Sequence, residues 1–470
     1  MSSNNTGTPT RHPILWEDPA FYDEKALDEE TRRVFDICHG CRRCFNLCES
    51  FPRLFDLVDN SETGELESVE STDFKPVVDA CTLCDMCFVN KCPYVPPHEF
   101  NLDFPHLMLR HRAVDAKKKG IPFVQKQLVA IDRNAKIASH IAPLVNTVTD
   151  EKNETARTLI SAITPLHPKA FLPQFQEKSF VDTFLAQEET LYPVNTKAPG
   201  YGEKAAVYVT CYGNYHQSSI AHAALSLLTH NGVLAKVTYP GCCGMPLLEQ
   251  GDLPNVAKRA KAISKELQNF IQDGYRIITL MPSCTLMFKQ EWPLLLPDDQ
   301  DIQDVANNTL DISDYLLGLF RTKGVAEGLV PLSKNVTLHL ACHSRAQNKG
   351  AKAAELLRMI PGTRVDVIER CSGHGGSWGV MKENFDIALK IGKPVFKQAI
   401  AQKNGFVASE CPLAGQHIRQ GMEITEKTSN SEDTSPSSHD FIHAHPLEIL
   451  AYAFGLMEDA WTLTSKGTSA

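Results

Sequence analysis

The chain has 470 residues, 43% of them hydrophobic, and a formal net charge of −9. That composition is ordinary for a soluble protein and leaves room for about three domains. The acidic balance argues against a nucleic-acid binder, which needs a basic face. Fifteen cysteines stand out. In a chain this long whose polar start "MSSNNTGTPTRHP" lacks the order of an export signal, a disulfide framework is not expected. Thiols at short spacing in a reduced compartment point to metal ligation. No apolar run is long enough to cross a bilayer, so a cytoplasmic protein is expected, with peripheral membrane association left open.

In chain order, residues 1–30 read as a polar arm and residues 31–115 hold eight cysteines. Cys38, Cys41, Cys44 and Cys48 stand at x2, x2 and x3 spacing, and Cys81, Cys84, Cys87 and Cys92 at x2, x2 and x4. This is close to the bacterial two-cluster ferredoxin run, in which three cysteines wrap one cubane and the fourth reaches the other. Cys38, Cys41, Cys44 and Cys92 are therefore assigned to one [4Fe–4S] cluster, and Cys81, Cys84, Cys87 and Cys48 to a second. The alternative, a pair of zinc sites, usually takes two CxxC halves around a tetrahedron. Glu49 in place of a proline and the x4 gap before Cys92 depart from the ferredoxin pattern without removing a ligand. The wide gap between Cys48 and Cys81 suggests a helical ferredoxin. Arg42 and Arg43 are read as solvated, or as tuning the cluster.

Residues 116–200 hold no cysteine and read as a helical connector. "VQKQLVAIDRNAKIASHIAPLV" has helical apolar spacing, and packing on its own domain is favoured over a membrane-surface role. The basic run "RHRAVDAKKKG" reads as a solvated helix face.

From residue 201 the texture is α/β. Strands are expected at "AAVYVTC", "VLAKVTY" and "YRIITLMPSC", with helices between them, and the series repeats at "VTLHLACH", "TRVDVIERC" and "FVASEC". Cys342, Cys371 and Cys411 follow Cys211, Cys242 and Cys284 at offsets of 131, 129 and 127 residues. The expected architecture is α/β plus helical ferredoxin: two tandem duplicated units with parallel sheets, residues 201–325 and 326–470, with cysteines at the carboxyl ends of strands where such sheets build sites. Residues 426–440 are expected to form a mobile loop.

"CYGNY", "CCGMPLLEQGD", "PSCTLMFKQEWP", "ACH", "SWGVMKENF" and "HPLEIL" resemble, in this order, the CCG-domain iron–sulfur proteins. That family includes components of heterodisulfide reductase and glycolate oxidase, and the layout is closest to the iron–sulfur component of anaerobic glycerol-3-phosphate dehydrogenase. The family pattern is a cysteine, a CC pair and a CxxC. The resemblance implies a metal site at Cys211, Cys242, Cys243 and Cys284, with Met287 in the last cysteine's place, and another at Cys342, Cys371 and Cys411, with Ser372 and Ala414 replacing two cysteines. It leaves open a third iron–sulfur cluster, zinc or no metal in these units. His343 and His374 are candidates for nitrogen ligation or acid–base catalysis, with a supporting or surface role as the alternative. The family implies an electron-transfer subunit that takes electrons from a flavoprotein dehydrogenase of a small hydroxy-compound through two [4Fe–4S] clusters to a quinone or to the CCG site. No Gly-rich dinucleotide fingerprint follows a strand, so the flavin is placed on the partner. The second reading is an oxidoreductase acting itself on a thiol, disulfide or peroxide.

Overall fold

All six strands expected from the sequence form, and they assemble into two parallel sheets of four strands each. The computed structural model describes residues 9–186, 192–429 and 441–457. The first sheet contains β1 (Lys204–Tyr208), β2 (Leu234–Thr238), β3 (Arg276–Thr279) and β4 (Thr309–Asp311), in the order β2-β1-β3-β4. The second contains β5 (Val336–His339), β6 (Val365–Ile368), β7 (Phe406–Ser409) and β8 (Ile442–Ala444), in the equivalent order β6-β5-β7-β8. The inner strands pair in matching registers, Ala205 with Ala235 and Arg276, and Val336 with Val365 and Phe406. Ala205 to Tyr208 are fully buried, as expected where helices cover both faces of a parallel sheet. Helices Ser218–His230 and Leu253–Gln272 make the crossovers of the first unit. Lys352–Leu357 and Phe385–Gln402 make those of the second. The fourth strand of each sheet is three residues long, too short to show a period of two in the sequence.

The N-terminal segment is helical. α1 (Glu24–Cys41) starts on the Asp23 carboxylate, which accepts from Ala26 N at 2.8 Å. α2 (Ser50–Asp59), α3 (Lys75–Ala80) and α4 (Phe104–Lys119) close around Phe35, Phe51, Phe74 and Phe104, with Phe51 and Phe104 ring centroids 4.7 Å apart. The expected arm is strapped down from residue 9 onward. Ile14 N donates to Leu294 O at 2.8 Å, and the Trp16 indole donates to Leu295 O at 2.9 Å. One apolar core runs from this segment through both sheets, and a smaller one sits around Phe396, Ile418 and Met422.

Within the helical connector, the stretch 124–145 expected as one helix is broken into α5 (Phe123–Leu128), α6 (Ile131–His140) and α7 (Ala142–Thr149), and α8 (Glu154–Ile163) follows. α6 packs by Ala135 and Ala138 while Ile137 on its other face is exposed. In the expected loop 426–440, residues 426–429 continue the helix Pro412–Ser429 and the remainder lies outside the described residues.

Candidate redox centres

The first cysteine group hangs on the end of α1. Cys38 and Cys41 are in its last turn, and Arg42 closes it in the left-handed conformation with φ of 52°. Cys44 and Cys48 lie in the loop that leads to α2. The second group is a loop in which Leu83 and Asp85 take φ of 49° and 63°, a region that non-glycine residues seldom occupy. Both are held from outside. Asp85 receives the buried Arg11 guanidinium at 2.7 Å, and the Leu83 carbonyl faces His343 Nε2 at 3.4 Å. The x4 gap before Cys92 is taken up by a π-helical turn, Cys87–Lys91, closed by Cys92 N donating to Cys87 O at 2.8 Å.

The thiols of the two runs lie close to one another. Burial pushes the Cys38 thiol up, and its thiol neighbours are Cys92, Cys44 and Cys41. Cys44 is pushed to about 11 by burial and then by Cys92 and Cys41. Cys48 is raised by burial and by Cys84 and Cys81, and Cys87 by burial and by Cys84, Cys81 and Cys48. The two groups adjoin, since Cys87 also feels Cys44.

In the first α/β unit the cysteines sit at the carboxyl edge of the sheet. Cys211 is in the helix Thr210–Tyr215 after β1, Cys242 and Cys243 are in the loop after β2, and Cys284 is in the helix Pro282–Leu286 after β3. Their thiols touch in sequence, Cys211 to Cys242 to Cys243 to Cys284. Hydrogen bonds from Cys211 and Cys243 hold Cys242 well below the usual thiol range and raise the two donors. The loop is fixed from several sides. The Asp132 carboxylate of α6 accepts from Cys242 N at 3.1 Å, from Tyr239 Oη at 2.5 Å and from Arg259 at 2.8 Å. Tyr208 Oη donates to Gly241 O, and the Trp292 indole donates to Cys243 O at 3.1 Å. Met287 is fully buried.

In the second unit Cys342 opens the helix Cys342–Ala346 after β5, Cys371 follows β6, and Cys411 follows β7. Cys342 is raised by burial and then by Cys84, Cys371 and Cys411. This three-thiol group therefore borders the Cys48, Cys81, Cys84 and Cys87 group. On its far side Cys411 borders Cys284 of the first unit. The loop 371–376 wedges between the modules. A Cβ at Gly375 would lie 2.9 Å from Thr82, and one at Gly376 would lie 2.7 Å from the Glu249 carboxylate. Ser372 and Ala414, which stand where the family pattern has cysteines, are buried.

The two candidate histidines part company. His343 Nδ1 is 2.8 Å from Ser283 Oγ and Nε2 is 3.4 Å from Leu83 O, so both ring nitrogens are engaged and the ring ties three modules together. Burial lowers its pKa, which keeps it neutral. The His374 ring lies 6.2 Å from that of His417.

The sequence reading missed the acidic groups of this region. Burial lifts Glu249 to about 7 and Glu410 to about 8. Both stand in stretches already singled out, "CCGMPLLEQGD" and "FVASEC", so their proximity to the cysteines was legible. Arg11 and Asp132 reach their sites from far along the chain, and no local signal marks them.

The donor set suits iron–sulfur ligation in kind. Soft thiols are grouped at short range in sites dry enough to raise most of their pKa values, where thiolates need a cation beside them. Among the described residues no three His, Cys, Asp or Glu close on one point as ligands of a single ion do.

Two parallel sheets of identical order, each with cysteines past its first three strands, define a duplicated cysteine-rich redox module. The family model of the CCG cysteine-rich domain matches residues 205–289 and again 336–419, so the chain carries two copies of that domain. Among individual proteins, it is 25% identical over 297 residues to the C component of the anaerobic glycerol-3-phosphate dehydrogenase of Escherichia coli (strain K12), covering 62% of this chain and 72% of the relative. It is also 25% identical over 389 residues to the D component of the dihydromethanophenazine:CoB–CoM heterodisulfide reductase of Methanosarcina acetivorans, covering 76% of this chain and 92% of the relative. Both relatives are named as subunits of redox enzymes. Among the described residues no helix is long and apolar enough to cross a membrane.

Proposed function

We propose that the chain is an iron–sulfur electron-transfer subunit. Cys38, Cys41, Cys44 and Cys92 hold one [4Fe–4S] cluster and Cys48, Cys81, Cys84 and Cys87 a second, within a helical ferredoxin segment spanning residues 31–115. When bound, such clusters take up and release single electrons. The observation that carries the reading is continuity of thiol groups. Cys87 borders Cys44, Cys84 borders Cys342 and Cys371, and Cys411 borders Cys284. The chain's own residues thus line up an unbroken series from the exposed N-terminal loop to the CC pair of the first unit. The similarity to a component of glycerol-3-phosphate dehydrogenase supports a flavoprotein partner that oxidises a small hydroxy-compound, with a quinone or the CCG site receiving the electrons. Peripheral membrane association is supported by the exposed Ile137, Ile141, Leu144, Leu159 and Ile163 on α6 to α8 and the turn between α6 and α7.

The test is anaerobic iron and sulfide analysis with EPR, alongside mixing with the co-purified flavoprotein. About eight irons per chain and reduction by the flavoprotein's substrate are expected. A colourless chain, or one that stays oxidised beside its reduced partner, would sink the proposal.

A second reading, an oxidoreductase acting on a thiol or disulfide, is favoured by the proton-holding groups near the CCG thiols. Glu249 lies against the loop of the opposite unit, and Glu410 adjoins Cys411. Loss of disulfide turnover in Cys242→Ser, with the ferredoxin iron retained, would favour this reading over the first.

A further inference from the structure

The two arginines of the first cysteine loop are held differently. Arg42 pairs with Asp59, whose carboxylate also lies 2.9 Å from His39 Nε2. Arg43 has no ion-pair partner among the described residues, and neither has Lys91, which stands next to Cys92. Both of these side chains are exposed. They are also the charges felt by the neighbouring thiols. Cys44 feels Lys91 and Arg43, and Cys92 feels Arg43. The second cysteine group differs, since Cys81 feels Asp85 and Asp103 as well as Arg112. In a chain of net charge −9, two uncompensated cations beside one cysteine group make a local field opposite in sign to that of the whole.

The same loop presents an aromatic ring to water. Phe45 is 58% exposed, yet it is not loose. Its ring stacks on that of the buried Phe55, with 10° between the planes and 6.3 Å between the centroids, and its N–H donates to Arg42 O at 3.2 Å. A large apolar side chain fixed in solvent beside uncompensated cations is the composition of an interface, where aromatic residues and arginine supply most of the binding energy. The residues between the cysteines of the second loop make the opposite arrangement, with Leu83, Asp85 and Met86 all buried. At the far end of the thiol series Cys242, Cys243 and Cys284 are buried as well. The first group is therefore the end of the series that is open to a protein partner.

We propose that Arg43, Phe45 and Lys91 form the docking surface for the acidic face of a redox flavoprotein, which delivers electrons to the cluster of Cys38, Cys41, Cys44 and Cys92. This rests on the electron-transfer reading. Each transfer moves one electron from the partner's reduced flavin to the oxidised cluster. No bond forms or breaks between the two proteins, and the flavin's proton leaves to solvent on the partner's side. The two cations draw the acidic face in and set its orientation, and Phe45 supplies the apolar contact that holds it.

The test uses the full chain, reconstituted anaerobically with iron and sulfide, and two electron donors. One is an acidic flavodoxin in its reduced form; the other is reduced methyl viologen, a small cation with no protein face. Flavodoxin binding is read by biolayer interferometry and electron uptake by stopped-flow bleaching. The double variant Arg43→Glu with Lys91→Glu should bind flavodoxin about tenfold more weakly and accept its electrons about tenfold more slowly at low salt. High salt should bring the parent down to the variant's level. Phe45→Ser should weaken binding about tenfold at either salt. Iron content, both EPR signals and the rate with methyl viologen should not fall in any variant. Flavodoxin binding and uptake that ignore charge reversal and salt would overturn the proposal. So would equal slowing with methyl viologen, which would assign the cations to tuning the cluster. Self-association of the parent that the charge reversal abolishes would also overturn it, by making a second copy of this chain the occupant. A parent that takes up no iron would overturn the electron-transfer reading itself, and the docking surface with it.

Discussion

Arg11 is the residue whose loss should be felt furthest from its place in the sequence. Its guanidinium lies 2.7 Å from Asp85, 2.9 Å from Asp103 and 3.4 Å from Glu291, and stacks 4.4 Å over Phe88. His106 approaches Glu291 at 3.3 Å. Asp85 sits inside the second cysteine loop and Glu291 in the first CCG unit, so one cation joins the arm, the loop and the sheet. Arg11→Met keeps much of the volume and leaves three mostly buried carboxylates facing one histidine. Breaking a buried pair costs about 3–5 kcal/mol, and the lost stacking adds about 1 kcal/mol. At roughly 2 °C per kcal/mol for a unit of this size, the melting temperature should fall by about 8–12 °C. The pH dependence gives a sharper check. Burial alone would raise Asp103 and Glu291, but His106 and Arg11 outweigh it and hold both below the usual carboxylate range. In the parent they contribute stability above that range, and it is lost as pH falls through the lowered values. Without Arg11 burial is less fully offset, so both carboxyls rise relative to the parent and the variant loses less stability than the parent as pH falls into the carboxylate range. The gap between parent and variant should therefore narrow as pH falls into that range. Melting curves with iron retention as a second readout decide it. A shift under about 2 °C at neutral pH, or a gap that widens in acid, refutes the reasoning.

Cys92→Ser and Cys48→Ser should each remove one cluster and spare the other, leaving about four irons of eight and two different EPR spectra; identical residual spectra would contradict the exchange of fourth ligands. Glu249, held at about 7 by burial, binds its proton more tightly folded than unfolded, so its contribution to stability declines as pH rises from the carboxylate range to about 7. Relative to the parent, Glu249→Gln should gain stability over that window and level off above it, as read by thermal melts across pH. Gly373→Ala meets both a φ of 83° and the Ala388 carbonyl, and should destabilise by about 2–4 kcal/mol in denaturant titration, well beyond the roughly 1 kcal/mol of the left-handed conformation alone.

The sequence carried the repeating α/β order because each of the six expected strands is a short β-rich run leading to a cysteine and the crossover helices Leu253–Gln272 and Phe385–Gln402 are long and amphipathic. It did not carry β4 and β8, whose three residues are placed by pairing with β3 and β7 rather than by any pattern of their own. The N-terminal cysteine groups were readable because their thiols are near neighbours in the chain. The supports of the cysteine loops were not: Arg11 meets Glu291 across 280 residues, and Asp132 meets Cys242 across 110. The x4 gap before Cys92 looked like a departure from the ferredoxin run, and the π-helical turn shows how one extra residue is absorbed without moving the thiol away.

The duplication also bears on whether the two CCG units are separate sites. Tyr212 and His343 occupy the same repeat position, each directly after the first cysteine of its unit. Tyr212 is raised by burial and then by Cys411 and Glu448, which places it against the opposite unit. His343 meets Ser283, the residue before Cys284, likewise in the opposite unit. Each unit therefore sends the side chain after its first cysteine to the third cysteine of the other, and the helices Pro282–Leu286 and Cys342–Ala346 pack together at the crossing. The surroundings of each third cysteine are therefore shared between the two units. A substitution that disturbs one set, such as Cys284→Ser, should alter the environment of the other, whereas two independent modules would respond separately.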